Sequence, residues 1–149
     1  MGHKDLAALD AIYQKAKEIC NVENLQFQFT VDHGDYETAI QFKEIGINQV
    51  YHAHPPYSED WESNPEIICP DIMDYAHKII IEYEEESGNR KPGAHLAKKG
   101  HGHPGDLPTK RDTRRNRYYE LGGFHFLQYW ESDLKAKNWE KLRTFLRSV

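Results

Sequence analysis

Three adjacent isoleucines, Ile79-Ile80-Ile81, run directly into Glu82-Tyr83-Glu84-Glu85-Glu86. β-Branched side chains lose rotamer freedom against the preceding turn of a helix and are favoured on a pleated strand. The spacing of the acids points the same way. On a helix Glu82 and Glu84 would project about 200° apart. On a strand, alternation puts Ile79, Ile81 and Tyr83 on one face and Ile80, Glu82 and Glu84 on the other. The preceding "EIICPDIMD" has the same local character, and its Pro70 sits badly inside a helix. Residues 74–77, "DYAH", are turn-like. The stretch 68–88 therefore predicts a β-hairpin rather than an acidic helix stopped by Gly88.

The hairpin has a chemical consequence. It brings Asp71 on the first strand beside Glu82 and Glu84 on the second, and three carboxylates at one sheet edge repel unless something neutralises them. A hard divalent cation with oxygen ligands does so, which makes Asp71, Glu82 and Glu84 the candidate metal ligands and catalytic residues, with Mg²⁺ as the cofactor and Mn²⁺ as its substitute. Beside a phosphodiester, such an ion polarises the phosphoryl oxygen and lowers the pKa of a bound water. The competing reading is a solvated acidic face, to which Glu85 and Glu86 belong.

The rest of the chain predicts one α/β domain over residues 1–149. Leu6, Leu9, Tyr13, Ala16 and Cys20 recur at helical spacing over residues 5–20, with Asp5 as N-cap. "LQFQFTV" (25–31) alternates as a strand, "DHGD" is a turn, and "TAIQFKEI" and "NQVYHAH" are two further short strands. Residues 55–65 and 88–109 are loops by composition; the second has five Gly and three Pro in 22 residues, a length that is unusual in a compact domain and often functional. "PTKRDTRRNRYYELGG" predicts a helix with Thr109 and Asp112 as a capping box and Gly122 or Gly123 as the stop. "FHFLQYW" is a strand, and Ser132 is placed to cap a last helix striped by Leu134, Trp139, Leu142 and Leu146. No apolar run approaches the roughly 18 residues of a membrane span. The N-terminus has no apolar signal core, and two cysteines make no disulfide framework. The expectation is a cytoplasmic protein without a membrane partner.

The net charge of −5 conceals an asymmetry. Residues 89–117 hold nine Lys and Arg against two acids and carry +7; the remainder carries −12. Such a basic segment beside an acidic body suits a polyanion, and Lys98, Lys99, Lys110, Arg111, Arg114 and Arg115 are the candidate nucleic-acid contacts. On one helix Arg111 and Arg115 share a face, as do Arg114 and Arg117. Nine histidines are also present. His95, His101 and His103 in the glycine-rich loop are candidate general acids or bases. His52 and His54 in "YHAHP" would lie on one strand face and form an alternative, His-based metal site. His33, His77 and His125 carry no functional assignment.

Taken together, these residues resemble the PD-(D/E)XK nuclease superfamily, and within it the branch of the very short patch repair endonucleases. Pro70-Asp71 matches the "PD" strand, and residues 79–84 match the hydrophobic strand that ends in acids. Downstream, Asp112, Arg115, Gly123, Phe124, Trp130 and Glu131 follow that branch's order of Asp, Arg, helix, Gly-aromatic, strand and Trp-acid step. The resemblance covers residues 66–149 and leaves residues 22–65 as an unmatched β-rich insertion. It implies a restriction-endonuclease-like mixed central sheet flanked by helices, and a Mg²⁺-dependent endonuclease that cuts DNA to 5′-phosphate and 3′-hydroxyl ends. One position departs from the pattern: Glu84 stands where the superfamily usually has a lysine. Two alternatives accompany this expectation, a catalytically silent nucleic-acid-binding protein that reuses the fold, and a metallohydrolase centred on His52 and His54. A homodimer is compatible with either nucleic-acid reading.

Overall fold

The computed structural model describes residues 5–41, 67–85 and 110–149. The first helix, α1 (Leu6–Glu23), begins where expected: the Asp5 carboxylate accepts from the Ala8 N–H at 3.0 Å, and Asn24 closes the helix in the left-handed region at φ 57°. Two-residue strands follow, β1 (Thr30–Val31), β2 (Ile40–Gln41) and β3 (Ile67–Ile68), and then β4 (Ile72–Asp74) and β5 (Ile79–Glu84). Helix α2 (Lys110–Leu121) leads into β6 (His125–Trp130), and α3 (Glu131–Lys135) and α4 (Trp139–Ser148) complete the described chain. The class is α/β: a four-stranded mixed sheet in the order β1-β4-β5-β6, with a separate antiparallel pair of β2 and β3.

The hairpin forms as the isoleucine triplet predicts. Strands β4 and β5 pair antiparallel, with Ile72 opposite Ile81 and Asp74 opposite Ile79. The turn is Tyr75–Lys78, with Lys78 at φ 56°. Asp74 holds it together. Its Oδ1 accepts from the His77 N–H at 3.1 Å, and its Oδ2 lies 2.7 Å from the His77 Nδ1 and 2.9 Å from the Gln28 N–H. His77 thus belongs to the turn.

Alternation along β5 divides the interior into two cores. Ile79 and Ile81 pack with Leu9, Ile12, Ala16 and Ile19 of α1, and with Tyr129, Leu142 and Leu146. Ile80 faces the other way, onto Met73, Ile40, Tyr119 and Phe124. Strand β6 runs parallel to β5 and follows the same division, Leu127 and Tyr129 toward α1, Phe126 toward α2. The return from α2 to β6 uses the predicted glycines: the Phe124 N–H donates to the Tyr119 carbonyl at 2.8 Å while Gly123 takes φ 77°, a left-handed helix end that favours glycine. Lys78 Nζ donates to the Gly122 carbonyl at 2.9 Å and ties the end of α2 to the hairpin turn.

Three expectations need correction. Residues 25–29 alternate inward and outward as predicted, but only Thr30–Val31 enters a ladder; the Gln28 N–H is taken by the Asp74 side chain instead of a strand carbonyl. "EIICPDIMD" is two strands, because Pro70 breaks the run. Ile67–Ile68 pairs with β2, and Ile72–Asp74 pairs with β1 and β5. The last helix is also two. Lys137, at φ 51°, separates α3 from α4, and the side chain capping α4 is Asn138, which accepts from the Lys141 N–H, not Ser132. The strand expected at 48–54, the later part of the strand at 38–45, the loops at 55–65 and 88–109, and Thr109 of the capping box lie outside the described residues.

Candidate active site

The acids of β5 are buried on the α2 side of the sheet. Glu82 and Glu84 are each 5% exposed, and a carboxylate at that depth requires partners. Helix α2 supplies most of them. The Tyr119 hydroxyl donates to Glu82 Oε1 at 2.7 Å. The Arg115 guanidinium lies between the two acids, with Nη2 2.9 Å from Glu84 Oε1 and Nη1 3.7 Å from Glu82 Oε2. Strand β6 adds Gln128, whose Nε2 donates to Glu84 Oε1 at 3.3 Å.

Local periodicity puts each group in place. Glu82 and Glu84 share a strand face because they are two residues apart. Arg115 and Tyr119 share a helix face because they are four apart. Gln128 is the register partner of Glu82 on the parallel strand. The strand pattern and the helix pattern therefore meet face to face across the second core.

Asp71 completes the group from the bend before β4. Its Oδ2 accepts from the Tyr83 N–H at 2.8 Å, which ties it to β5 between the two glutamates. The segment around it is fixed from the β1–β2 connection: the Asp32 N–H donates to the Asp71 carbonyl at 2.9 Å, and the Thr38 hydroxyl donates to the Pro70 carbonyl. Asp32, 2% exposed, bonds the Gly34 N–H at 3.1 Å.

The electrostatics mark Glu82 as the centre of the cluster. Burial, then the nearby Asp71 charge and, more weakly, Glu84 push its carboxyl up to about 8, against the opposing pull of Arg115 and the Tyr119 hydrogen bond. Burial and the Glu82 charge also push the Tyr119 phenol well up, so it remains a hydrogen-bond donor. Elsewhere, burial pushes the Cys20 thiol up, which together with its place in the first core makes it a poor nucleophile.

The structure thus brings together Asp71, Glu82, Glu84 and Arg115 from the predicted site. Lys110, Arg111 and Arg114 lie on α2, but their side chains are outside the described set. Lys98, Lys99, His95, His101, His103, His52 and His54 are outside the described residues altogether. Tyr119, Gln128, Asp32 and Thr38 were not singled out from the sequence. Tyr119 had a signal, the four-residue step from Arg115; Gln128 depends on the parallel register, which no local pattern encodes. Among the described residues, no group of three or more His, Cys, Asp and Glu side chains is arranged to hold a metal ion, and no helix is long and apolar enough to cross a membrane. No family model, no curated protein and no solved structure matches this chain.

Proposed function

We propose that the protein is a cytoplasmic, Mg²⁺-dependent DNA endonuclease of restriction-endonuclease-like fold, with its site at Asp71, Glu82 and Glu84. The observation that carries this reading is the cluster of acids at one end of the β4–β5 hairpin: Arg115 reaches both Glu82 and Glu84, and Asp71 is tied to the Tyr83 N–H between them. The mixed sheet with a helix between its two parallel strands, and helices on both faces, agrees with the fold that the resemblance implies.

The donor chemistry fits a hard cation. All three groups are carboxylates, and two of them already share one positive charge, the Arg115 guanidinium. Asp71, Glu82 and Glu84 would hold Mg²⁺, which when bound polarises the phosphoryl oxygen and lowers the pKa of water. The chain's own groups do the positioning. Tyr119 fixes the Glu82 carboxyl, Gln128 orients Glu84, and the Tyr83 N–H fixes Asp71. Arg115 brings a guanidinium fork suited to a phosphodiester. The segment Lys98–Arg117 grips the DNA backbone, a contact that supplies affinity without sequence information. His95, His101 or His103 supplies the proton transfer that the superfamily's lysine would otherwise assist.

A second reading, a catalytically silent nucleic-acid-binding protein, draws on one observation. Arg115 already neutralises part of the acidic cluster, and among the described residues no three-donor group stands ready for a metal. Supercoiled plasmid incubated with the full chain and Mg²⁺ separates the two. The nuclease nicks or linearises the plasmid and loses this in Asp71→Ala and Glu82→Ala, while His52→Ala retains it. No cleavage of any DNA or RNA substrate favours the silent binding protein. Loss in His52→Ala alone moves the chemistry to His52 and His54.

A further inference from the structure

We propose that Arg115 is a built-in counter-cation of the acidic site, which a divalent ion must displace in order to bind and which then serves the substrate phosphate. The inference rests on the carboxylate metal site proposed above and adds a regulation to it. Three observations carry it. The guanidinium contacts both β5 acids, at 2.9 Å from Glu84 and 3.7 Å from Glu82, so it occupies the face those acids would offer to an ion. The contact is enclosed: the Arg115 side chain is 17% exposed and each glutamate side chain 7%, so solvent screens it little. Helix α2 holds it there, since the ring of Tyr119, one turn on, lies 6.0 Å from the guanidinium carbon while its hydroxyl bonds Glu82.

The arrangement also accounts for Glu84 at the position where a lysine is expected. The positive charge is present at the site, but it comes from the helix and is bound to the residue that replaced the lysine. Two cations cannot share these carboxylates at short range without repulsion, which a partly buried site screens less than bulk water does. Divalent-ion binding therefore releases Arg115 from Glu84. A guanidinium without a carboxylate partner has five donors in a planar fork, and the anion whose chemistry matches it is the phosphodiester. Without its ion the protein keeps Arg115 on Glu82 and Glu84, and ion and DNA favour each other's binding through that one side chain.

Binding of Mn²⁺ alone to the full chain, followed through the electron paramagnetic resonance signal of the free ion, tests this without recourse to cleavage. Arg115→Gln removes the charge, and Arg115→Lys retains it; a cooperative thermal transition checks that each variant is folded. The expected result is Mn²⁺ affinity raised about tenfold or more in Arg115→Gln and changed by less than about threefold in Arg115→Lys. Binding in Arg115→Gln with none in the wild-type protein is the stronger form of the same result. Wild-type and Arg115→Gln proteins that bind Mn²⁺ equally, or weaker binding in the folded variant, overturns the exchange and leaves the metal site intact. Absence of Mn²⁺ binding to every variant overturns the metal site itself.

Discussion

The two faces of β5 are built from neighbouring residues of one strand and solve opposite problems. Toward α1, Ile79 and Ile81 enter a core in which every principal partner is apolar or aromatic, and burial itself supplies the stability. Toward α2, Ile80 begins the same way, but Glu82 and Glu84 continue the face with acids of similar burial. There burial opposes ionisation and has to be offset by Tyr119, Arg115 and Gln128. A fold seeking only stability would have continued the isoleucines, because a buried ion network is seldom better than well-packed apolar side chains. The first face holds the strand in position; the second uses that rigidity to keep carboxylates where solvent would not leave them.

The largest break in this comparison comes from the apolar face. Ile81→Ala leaves a cavity between α1 and the sheet and lowers the unfolding free energy by about 2–5 kcal/mol in urea titration. On the acidic face the sign depends on pH. The Glu82 carboxyl is raised to about 8 in the folded chain from an ordinary value of 4.5, so between these values the folded state holds the extra proton. Stability therefore falls as pH rises from about 4.5 to about 8. Glu82→Gln removes that dependence, and its Tm at pH 9 exceeds the wild-type value by on the order of 5 °C, while Ile81→Ala lowers Tm at every pH. A Glu82→Gln profile that keeps the wild-type slope would show that Glu82 is ionised as an ordinary surface acid. The smallest effect is Tyr119→Phe, which deletes the donor to Glu82 and costs about 1 kcal/mol in thermal or urea unfolding. Its packing against Phe124 and Phe126 remains.

The division of β5 was legible because it needs only local information. Three β-branched residues select a strand, and period two then assigns Ile79, Ile81 and Tyr83 to one face and Ile80, Glu82 and Glu84 to the other. Arg115 was placed near the site by the resemblance, and Gly123 by the need for a helix stop. Other features depend on pairings that local patterns do not carry. Residues 25–31 alternate like a strand, yet the Asp74 side chain competes for the Gln28 backbone and shortens β1 to two residues. Gln128 joins the site through the parallel register of β6, and Asp32 and Thr38 through hydrogen bonds to the backbone around Pro70. The last helix was divided by Lys137 in a left-handed conformation that no glycine announced.

The proposed function stands or falls on whether Asp71, Glu82 and Glu84 take a divalent cation in place of Arg115. A crystal of the full chain soaked in Mn²⁺ and recorded at the manganese edge tests it most directly. The expected result is one anomalous peak within bonding distance of Asp71, Glu82 and Glu84, with the Arg115 guanidinium moved away from Glu84. Arg115 still bridging Glu82 and Glu84, with no peak between the carboxylates, would contradict it.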